Sequence, residues 1–319
     1  MVKHKDVIIA NPIYDAVFKN LMTTGKSTNK DIAGYFVGTI LGEEIADIDF
    51  LRQEYQYHKK RKNNTQTESE TLTSIRMDFV ATIYTKRGEY KKILIEIQKA
   101  QKPADILRFR TYLGEQYKQL DTITVKGNKI EESLPLVVIY MLGFSLPQIK
   151  GIAVKVNRIY LDIIDNVEEI NRSPFIECLT HDGFFIQIPR INREVYSDWE
   201  NCSEIKKLLS IFEQDYFIDK EEDFLKKYPY SITNKNIKKM IETLEYLAAD
   251  PKVRRAMQEE YWAALNETLW EKQVLEQSNQ ITTLSNQNTT LSNQNTTLSN
   301  QNEELRRLLQ QAGINIPSA

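Results

Sequence analysis

Residues 91–100 read KKILIEIQKA, an isoleucine- and leucine-rich run in which polar Glu96 and Gln98 alternate with apolar Ile95 and Ile97. In a β-strand this alternation places Leu94, Glu96 and Gln98 on one face and the intervening isoleucines on the other. Burying a carboxylate without a partner is costly, so a charged residue in an apolar strand needs a neighbour that meets it. The segment is therefore predicted to be a core strand in which Glu96 has a polar partner.

A second extended segment, RMDFVATIYT, precedes this strand, and the residues KRG connect the two. Glycine in so short a connection is typical of a β-hairpin. A three-residue loop with Gly88 in the left-handed conformation sets Thr85 opposite Glu89 and Asp78 opposite Glu96, with about 5 Å between paired Cβ atoms. A two- or four-residue loop would shift this register by one residue. The hairpin thus supplies Asp78 as the expected neighbour of Glu96.

The remaining patterns predict helices and strands around this hairpin. Apolar spacings of three and four over 13–41 predict two short helices, and Pro103 opens an amphipathic helix over 104–121. The continuous apolar run 134–142 is typical of a strand buried on both faces. Residues 58–74 are polar without periodicity and are predicted to be a long loop, and THDGFF is predicted to turn a hairpin. Residues 203–275 are predicted to be mostly helical.

The C-terminal segment contains the seven-residue repeat TTLSNQN. Leucines recur every seven residues, and asparagines follow the first three of them by four; in chain order the leucines are Leu284, Leu291, Leu298 and Leu305. With leucine at heptad position d and asparagine at a, the pattern favours a parallel two-stranded coiled coil of fixed register. The alternative is a disordered polar tract, because Thr, Ser and Asn are mediocre helix formers.

Length and composition indicate how many domains the chain can form and which classes of protein are excluded. The chain has 319 residues, 41% of them apolar and 27% charged, which allows one large domain with an appendage or two domains. The predicted division is a core domain over 1–202, a helical region over 203–275 and the repeat tail over 276–319. The two cysteines have no zinc-ligand spacing, the N-terminus lacks a signal-peptide apolar region, and the longest apolar run is too short for a bilayer. A cytoplasmic protein without membrane contact is expected.

Two carboxylates held as close as Asp78 and Glu96 repel, so one must hold a proton or a divalent cation must lie between them. Their oxygens suit Mg²⁺ or Mn²⁺, and such a site points to metal-dependent hydrolysis of phosphodiesters. A solvent-facing polar row is the plain alternative for Glu96 and Gln98.

The net charge of −2 requires any nucleic-acid contact to come from local basic residues. The candidates lie in the basic run 58–62 and on the helix after Pro103, where solvated side chains are the alternative: Lys60, Arg61, Arg108, Arg110 and Gln116.

Four segments together resemble the PD-(D/E)XK nuclease superfamily, and in particular its recombination-promoting nuclease or putative transposase family: NPIYDAVFKNLM, RMDFVATI, LIEIQKA and DILRFRTYLGEQY. The resemblance covers residues 10–275 and implies an α/β fold with a restriction-endonuclease-like mixed β-sheet core flanked by helices. By position it implies that Asp78 and Glu96 bind the metal with help from Asp15, and that Gln98 stands where the family commonly has lysine. Glutamine supplies no positive charge, so a second metal, Arg108 or Arg110 would have to provide it, or the rate would be lower.

The resemblance implies a Mg²⁺-dependent DNA endonuclease with Asp78, Glu96 and Gln98 as catalytic residues. Because cutting two strands generally needs two active sites, the heptad tail is expected to hold a homodimer. The alternative is an interaction protein that keeps the nuclease fold, binds DNA and oligomerises without cutting. RNA as the substrate is a third possibility that the residues leave open.

Overall fold

The computed structural model describes residues 7–23, 28–51, 54–61, 69–76, 78–99, 103–125, 127–219, 223–232 and 234–313. For residues 28–29, 54–61, 69–76 and 103–105 it describes the backbone alone. The seven α-helices of these residues are α1 (Asp15–Thr23), α2 (Thr28–Leu41), α3 (Pro103–Tyr117), α4 (Pro174–Leu179), α5 (Glu204–Leu209), α6 (Lys235–Ala249) and α7 (Pro251–Gln311).

The strands of the described residues are, in chain order, β1 (Val7–Ala10), β2 (Ile45–Phe50), β3 (Glu54–Arg61), β4 (Ser69–Arg76), β5 (Phe79–Thr85), β6 (Tyr90–Gln98), β7 (Asp121–Val125), β8 (Asn128–Glu132), β9 (Leu136–Leu142), β10 (Ala153–Val156), β11 (Tyr160–Asp162), β12 (Val167–Glu169), β13 (His181–Gln187) and β14 (Leu225–Tyr228).

A six-stranded mixed sheet in the order β10-β13-β9-β6-β5-β2 forms the centre of the fold. Strands β6, β9 and β13 run parallel, and β10 and β5 pair antiparallel to the two ends of this group. Every residue of β9 is buried, as its continuous apolar run predicts for a strand covered on both faces. The predicted mixed α/β class is confirmed, and so are the two short helices before the sheet and the helix after Pro103.

The hairpin of β5 and β6 has the predicted register. Tyr84 pairs with Tyr90 and Phe79 with Ile95, so that Asp78, one residue before β5, lies opposite Glu96. The loop has three residues, because the Thr85 amide donates to the Glu89 carbonyl across it at 2.9 Å. Gly88 closes the loop at φ 89°, a left-handed conformation that a side chain disfavours.

Helix α3 covers the sheet face that carries Leu94, Glu96 and Gln98. Tyr112 of this helix is buried in one apolar cluster with Leu94 of β6. Phe109, one helical turn before Leu113, meets the ring of Tyr140 edge to face with 5.1 Å between centroids. These contacts fix the helix over the strand end, because the aromatic side chains lie on the helix stripe that faces the sheet.

The described residues up to Gln258 form one compact unit. The predicted boundary at residue 202 falls inside this unit. Strand β14, after the boundary, pairs antiparallel with β1, which lies more than two hundred positions earlier in the chain. Helices α5 and α6 also contact α2 within it. Because the strand pairing and the helix contacts join the first and the third hundred residues, the segment after 202 is part of the same fold.

Two local predictions are wrong. Residues 54–61 and 69–76, which lie mostly in the predicted long loop, form an antiparallel ribbon of β3 and β4. Their Tyr and Thr residues favour extended backbone, and among the described strands the two pair with each other and not with the central sheet. Residues 62–68 of the predicted loop lie outside the described residues. The sequence THDGFF runs straight through β13, with Gly183 paired to Val138 of β9. There Phe184 and Phe185, which follow Gly183, and the adjacent parallel strand outweigh the turn signal of Asp-Gly.

The second compact unit, residues 259–319, consists of α7 from Glu259 onward in its described part. The repeat is helical, and its threonines donate their hydroxyls to the carbonyls four residues earlier, as Thr289 does to Ser285 at 3.0 Å. The heptad leucines are exposed, for example Leu291 with 55% of its surface accessible. No helix in the described part of the chain has the length and apolarity needed to cross a membrane.

Candidate active site

The β5–β6 hairpin joins Asp78 and Glu96 through reciprocal backbone contacts. The Asp78 carboxylate accepts a hydrogen bond from the Ile97 amide at 2.7 Å. The Glu96 carboxylate in turn accepts from the backbone amide of Asp78. Glu96 is buried, with 4% of its surface exposed. The register of the hairpin therefore fixes both carboxylates, because each one is bonded to the backbone of the opposite strand.

Burial and mutual repulsion hold both carboxyls toward the protonated form. Burial raises the pKa of Glu96 from 4.5 to about 9, and the charge of Asp78 adds to the rise. Burial raises the pKa of Asp78 from 3.8 to about 7, and the neighbouring Asp15 raises it further. Two carboxyls of this kind favour a shared proton or a cation between them, because desolvation and like charge both oppose two negative charges.

Asp15 reaches the same place from the first turn of α1, close enough to Asp78 to share a hydrogen bond with it. Lys19, one helical turn later, contacts the Asp15 carboxylate at 2.7 Å and is only 12% exposed. Its positive charge lowers the pKa of both Asp78 and Glu96. The sequence predictions did not include Lys19, although its spacing of four from Asp15 puts both on one helix face. Asp15, Asp78 and Glu96 are called the carboxylate site below.

Gln98 and Arg108 complete the arrangement on the α3 side. The Arg108 guanidinium donates from Nη2 to Gln98 Oε1 at 2.7 Å and to Glu96 Oε1 at 3.2 Å. Arg108 comes from the first half of α3, which its aromatic neighbours hold over the strand end. Lys99, the residue after Gln98, lies on the opposite face with its ammonium 3.7 Å from the ring centre of Tyr14. Arg108 is therefore the cation that meets the glutamine.

The other residues predicted to bind DNA fall elsewhere. Arg110 is exposed on α3, on the side turned away from Arg108 by the helical spacing. Gln116 is 2% exposed, so it is not part of the surface open to DNA; neither atom of its amide has a hydrogen-bond partner among the described residues. Lys60 and Arg61 belong to β3, and their side chains lie outside the described part of the structure.

The oxygen donors fit a hard divalent cation. Glu96 Oε2 is buried and has no hydrogen-bond partner among the described residues, so one oxygen of the pair is available to a ligand. Within the same residues, no three or more His, Cys, Asp or Glu side chains are gathered closely enough to hold a metal ion. Two carboxylates suffice for Mg²⁺, which usually keeps several waters and takes further oxygens from a bound phosphate. Asp78 and Glu96 supply two such carboxylates, and Asp15 is paired with Lys19 beside them.

Compared with known proteins, the chain matches no family model, no curated protein and no solved structure.

Proposed function

We propose that the protein is a Mg²⁺-dependent nuclease of the PD-(D/E)XK type that hydrolyses phosphodiester bonds in DNA. The observation that carries the proposal is the pairing of half-buried Asp78 with buried Glu96, two carboxyls with raised pKa values at the end of neighbouring strands. Their closeness to Gln98 and Arg108 gives the carboxylate site the mixture of anionic, amide and cationic groups that phosphodiester hydrolysis needs.

In this proposal Asp78 and Glu96 hold the ion, and Asp15 is an auxiliary carboxylate. When bound, Mg²⁺ would lower the pKa of a water and offset negative charge on the phosphate. Gln98 orients the attacking water through its amide, whose oxygen Arg108 already fixes at 2.7 Å. The protein surrounds this place with a buried strand end, which strengthens each electrostatic contact because little water screens it.

Arg108 takes the role for which the family commonly uses lysine at the position of Gln98. Its guanidinium carries a permanent positive charge within hydrogen-bonding distance of both Glu96 and Gln98. Because 44% of the side chain is exposed, the group can also reach a phosphate that approaches from solvent. Arg110 does not bring its charge to the site, since it lies on the exposed side of the helix.

Nicking of supercoiled plasmid tests the proposal. We expect the wild-type protein to relax plasmid in Mg²⁺ and not in excess EDTA, and Asp78→Asn and Glu96→Gln to lose at least about a hundredfold in rate, since each removes a ligand charge from the ion. Glu131→Gln is the matched control, because Glu131 is an exposed carboxylate on β8. Cleavage by Asp78→Asn at the wild-type rate would overturn the assignment.

A second candidate function is DNA binding by the same fold without cleavage, with RNA as a less favoured nucleic acid. Two observations favour it: Glu96 is already paired with Arg108, and glutamine stands in place of the lysine. This alternative predicts no heat of Mn²⁺ binding in calorimetry at pH 8. The nuclease proposal instead predicts binding that the Glu96→Gln variant abolishes.

We further propose that α7 forms a parallel homodimeric coiled coil and brings two active sites together. The helix of 61 residues exposes a seam of leucines, among them Leu284 at 60% and Leu298 at 54% accessibility. A single helix rich in Thr, Ser and Asn is marginal in water, so burial of this seam against a second copy would stabilise it. Sedimentation should give a dimer for the wild type and a monomer for Leu291→Ser with Leu298→Ser. Equal sedimentation of both would refute the dimer.

A further inference from the structure

The β3–β4 ribbon leaves the central sheet at the end where the carboxylate site lies. After β2 the Leu51 amide still donates to the Val80 carbonyl of β5 at 2.9 Å, and the chain then enters β3. The return strand β4 ends at Arg76, two residues before Asp78. Eight consecutive residues pair along the ribbon, which corresponds to a length of about 25 Å at roughly 3.3 Å per residue. Among the described strands, β3 and β4 pair with each other alone.

The register divides the ribbon into two faces of different charge. Cross-strand partners belong to the same face, and faces alternate along each strand. On one face Glu54 is the partner of Arg76 and Lys60 is the partner of Glu70. In the register, each charged residue of this face is thus the partner of a residue of opposite charge, and such pairing stabilises a ladder by itself. We call it the balanced face.

The other face has positive charge alone. Its eight residues are Tyr55, Tyr57, Lys59, Arg61, Ser69, Thr71, Thr73 and Ile75. None of them is acidic, and Lys59 and Arg61 stand opposite Thr71 and Ser69. Lys, Arg, Ser, Thr and Tyr are among the residue types that contact phosphate oxygens in DNA complexes. We call it the basic face.

We propose that the basic face of the β3–β4 ribbon binds duplex DNA and holds it beside the carboxylate site. A two-stranded ribbon fits the major groove, and unbalanced Lys and Arg on one face attract the phosphates on either side of it. The choice of DNA as the ligand rests on the proposed nuclease function. Of the two ribbon residues expected from the sequence to bind DNA, Arg61 remains a contact, whereas Lys60 belongs to the balanced face and Lys59 takes its place.

Fluorescence anisotropy tests whether the ribbon binds DNA. The probe is a fluorescein-labelled duplex of about 30 base pairs and mixed sequence, which is longer than the ribbon. The measurements use the full-length Glu96→Gln protein in EDTA, so that cleavage does not interfere. Into this background we introduce Lys59→Gln with Arg61→Gln on the basic face, and Lys60→Gln with Arg76→Gln on the balanced face. Both pairs remove two positive charges, so a general loss of charge affects them equally. The single variants Lys59→Gln and Arg61→Gln are measured as well.

We expect the basic-face pair to weaken binding about tenfold or more and to reduce the slope of log Kd against log salt by roughly 2, since each lost phosphate contact removes about 0.9. The balanced-face pair should stay within about threefold of its parent, and each single variant should fall between. Equal weakening by both pairs, no weakening by the basic-face pair, tighter binding of an RNA duplex, or no binding of DNA by the parent would each overturn the inference.

The test of DNA binding by the ribbon can be separated from the test of nuclease activity. Ribbon-dependent binding by a wild-type protein that never nicks plasmid would refute the nuclease and leave the ribbon in place. Metal-dependent nicking by the wild type, together with unchanged DNA binding by the basic-face pair, would support the nuclease and refute DNA binding by the ribbon. Circular dichroism of all variants checks that the fold is retained, and a double variant that fails to fold is replaced by the two single ones, whose expected losses are about threefold each.

Discussion

Replacing Glu96 by glutamine should stabilise the metal-free protein while removing its proposed metal site. The change keeps the shape of the side chain and deletes its charge. Burial raises the pKa of Glu96 from 4.5 to about 9, so at pH 7 the folded state retains a proton that the unfolded state has released. Retention costs about 1.4 kcal/mol for each pH unit above the unfolded pKa. At pH 7 this cost lowers the free energy of unfolding of the wild type by roughly 3 kcal/mol, and the glutamine variant does not bear it.

The sign of the pH dependence follows from the direction of the shift. Because the folded pKa is raised, the folded state binds more protons than the unfolded state between the two pKa values. Wild-type stability is thus highest below the unfolded pKa and declines as the pH rises toward about 9. The contact with Arg108 offsets little of this gain, because the raised pKa already includes the lowering by Arg108 and a protonated Glu96 makes no ion pair with it at pH 7.

Urea unfolding in EDTA at pH 5, 7 and 8.5 measures the difference, with fluorescence of Trp199, which stacks on Tyr230, as the probe. Glu96→Gln should exceed the wild type by less than about 1 kcal/mol at pH 5, roughly 2–3 kcal/mol at pH 7 and more at pH 8.5. Mg²⁺ at about a hundred times its Kd should add about 2.7 kcal/mol to the wild type and nothing to the variant. Glu131→Gln serves as the exposed control.

Two results would refute this electrostatic account: a Glu96→Gln variant less stable than the wild type at pH 8.5, or a difference between them that does not change with pH. The first result would mean that the carboxylate is stabilised in its charged form by neighbours such as Lys19. The second would mean that Glu96 does not titrate in this range. Either would remove the electrostatic support for a cation at the carboxylate site.

Three further predictions concern single contacts. Arg108→Gln should lower the nicking rate at least about a hundredfold while leaving calorimetric Mn²⁺ binding intact, because it removes a cation that stabilises developing charge, whereas Arg110→Gln should nick at the wild-type rate; equal effects would refute the assigned role. Asp121→Asn should destabilise the fold by roughly 3–5 kcal/mol in urea, because it leaves the buried Lys92 ammonium, 2.7 Å away, without its counter-charge; a loss below about 1 kcal/mol would contradict this. Gly88→Ala should cost about 1 kcal/mol in thermal unfolding, from the left-handed backbone alone, since the added Cβ would meet its nearest neighbour at an ordinary 3.7 Å; an unchanged midpoint would argue against a strained loop.

Local patterns were enough for the hairpin at the centre of the site. The alternation around Glu96 defines its face, and the loop closed by Gly88 fixes which residue of the preceding strand lies opposite. Both signals act over a short stretch of chain, so the pairing of Asp78 with Glu96 follows from the amino-acid sequence once the loop has three residues, as the structure shows. The burial of β9 on both faces followed in the same way from its continuous apolar run.

Signals that depend on distant partners were missed. Residues 58–74 have no apolar face, so the pairing of β3 with β4 is visible only in the cross-strand register. Gly183 follows Asp182 as a turn residue would, yet the neighbouring β9 keeps it in a strand. Strand β14 was not predicted, because its partner β1 lies at the other end of the compact unit.

Hydrophobic period and turn chemistry are local properties of the chain, and they predicted the strands of the hairpin and, for a three-residue loop, its two facing carboxyls. The mixed α/β class was an implication of the family resemblance. Which positively charged side chains lie beside these carboxyls depends on the packing of helices against the sheet. Arg108 reaches Gln98 because aromatic contacts hold α3 over the strand end, and Lys19 arrives with Asp15 from a helix much earlier in the chain. The resemblance named Asp15 and Arg108 as candidates, but no local pattern shows that packing brings them to Glu96 and Gln98.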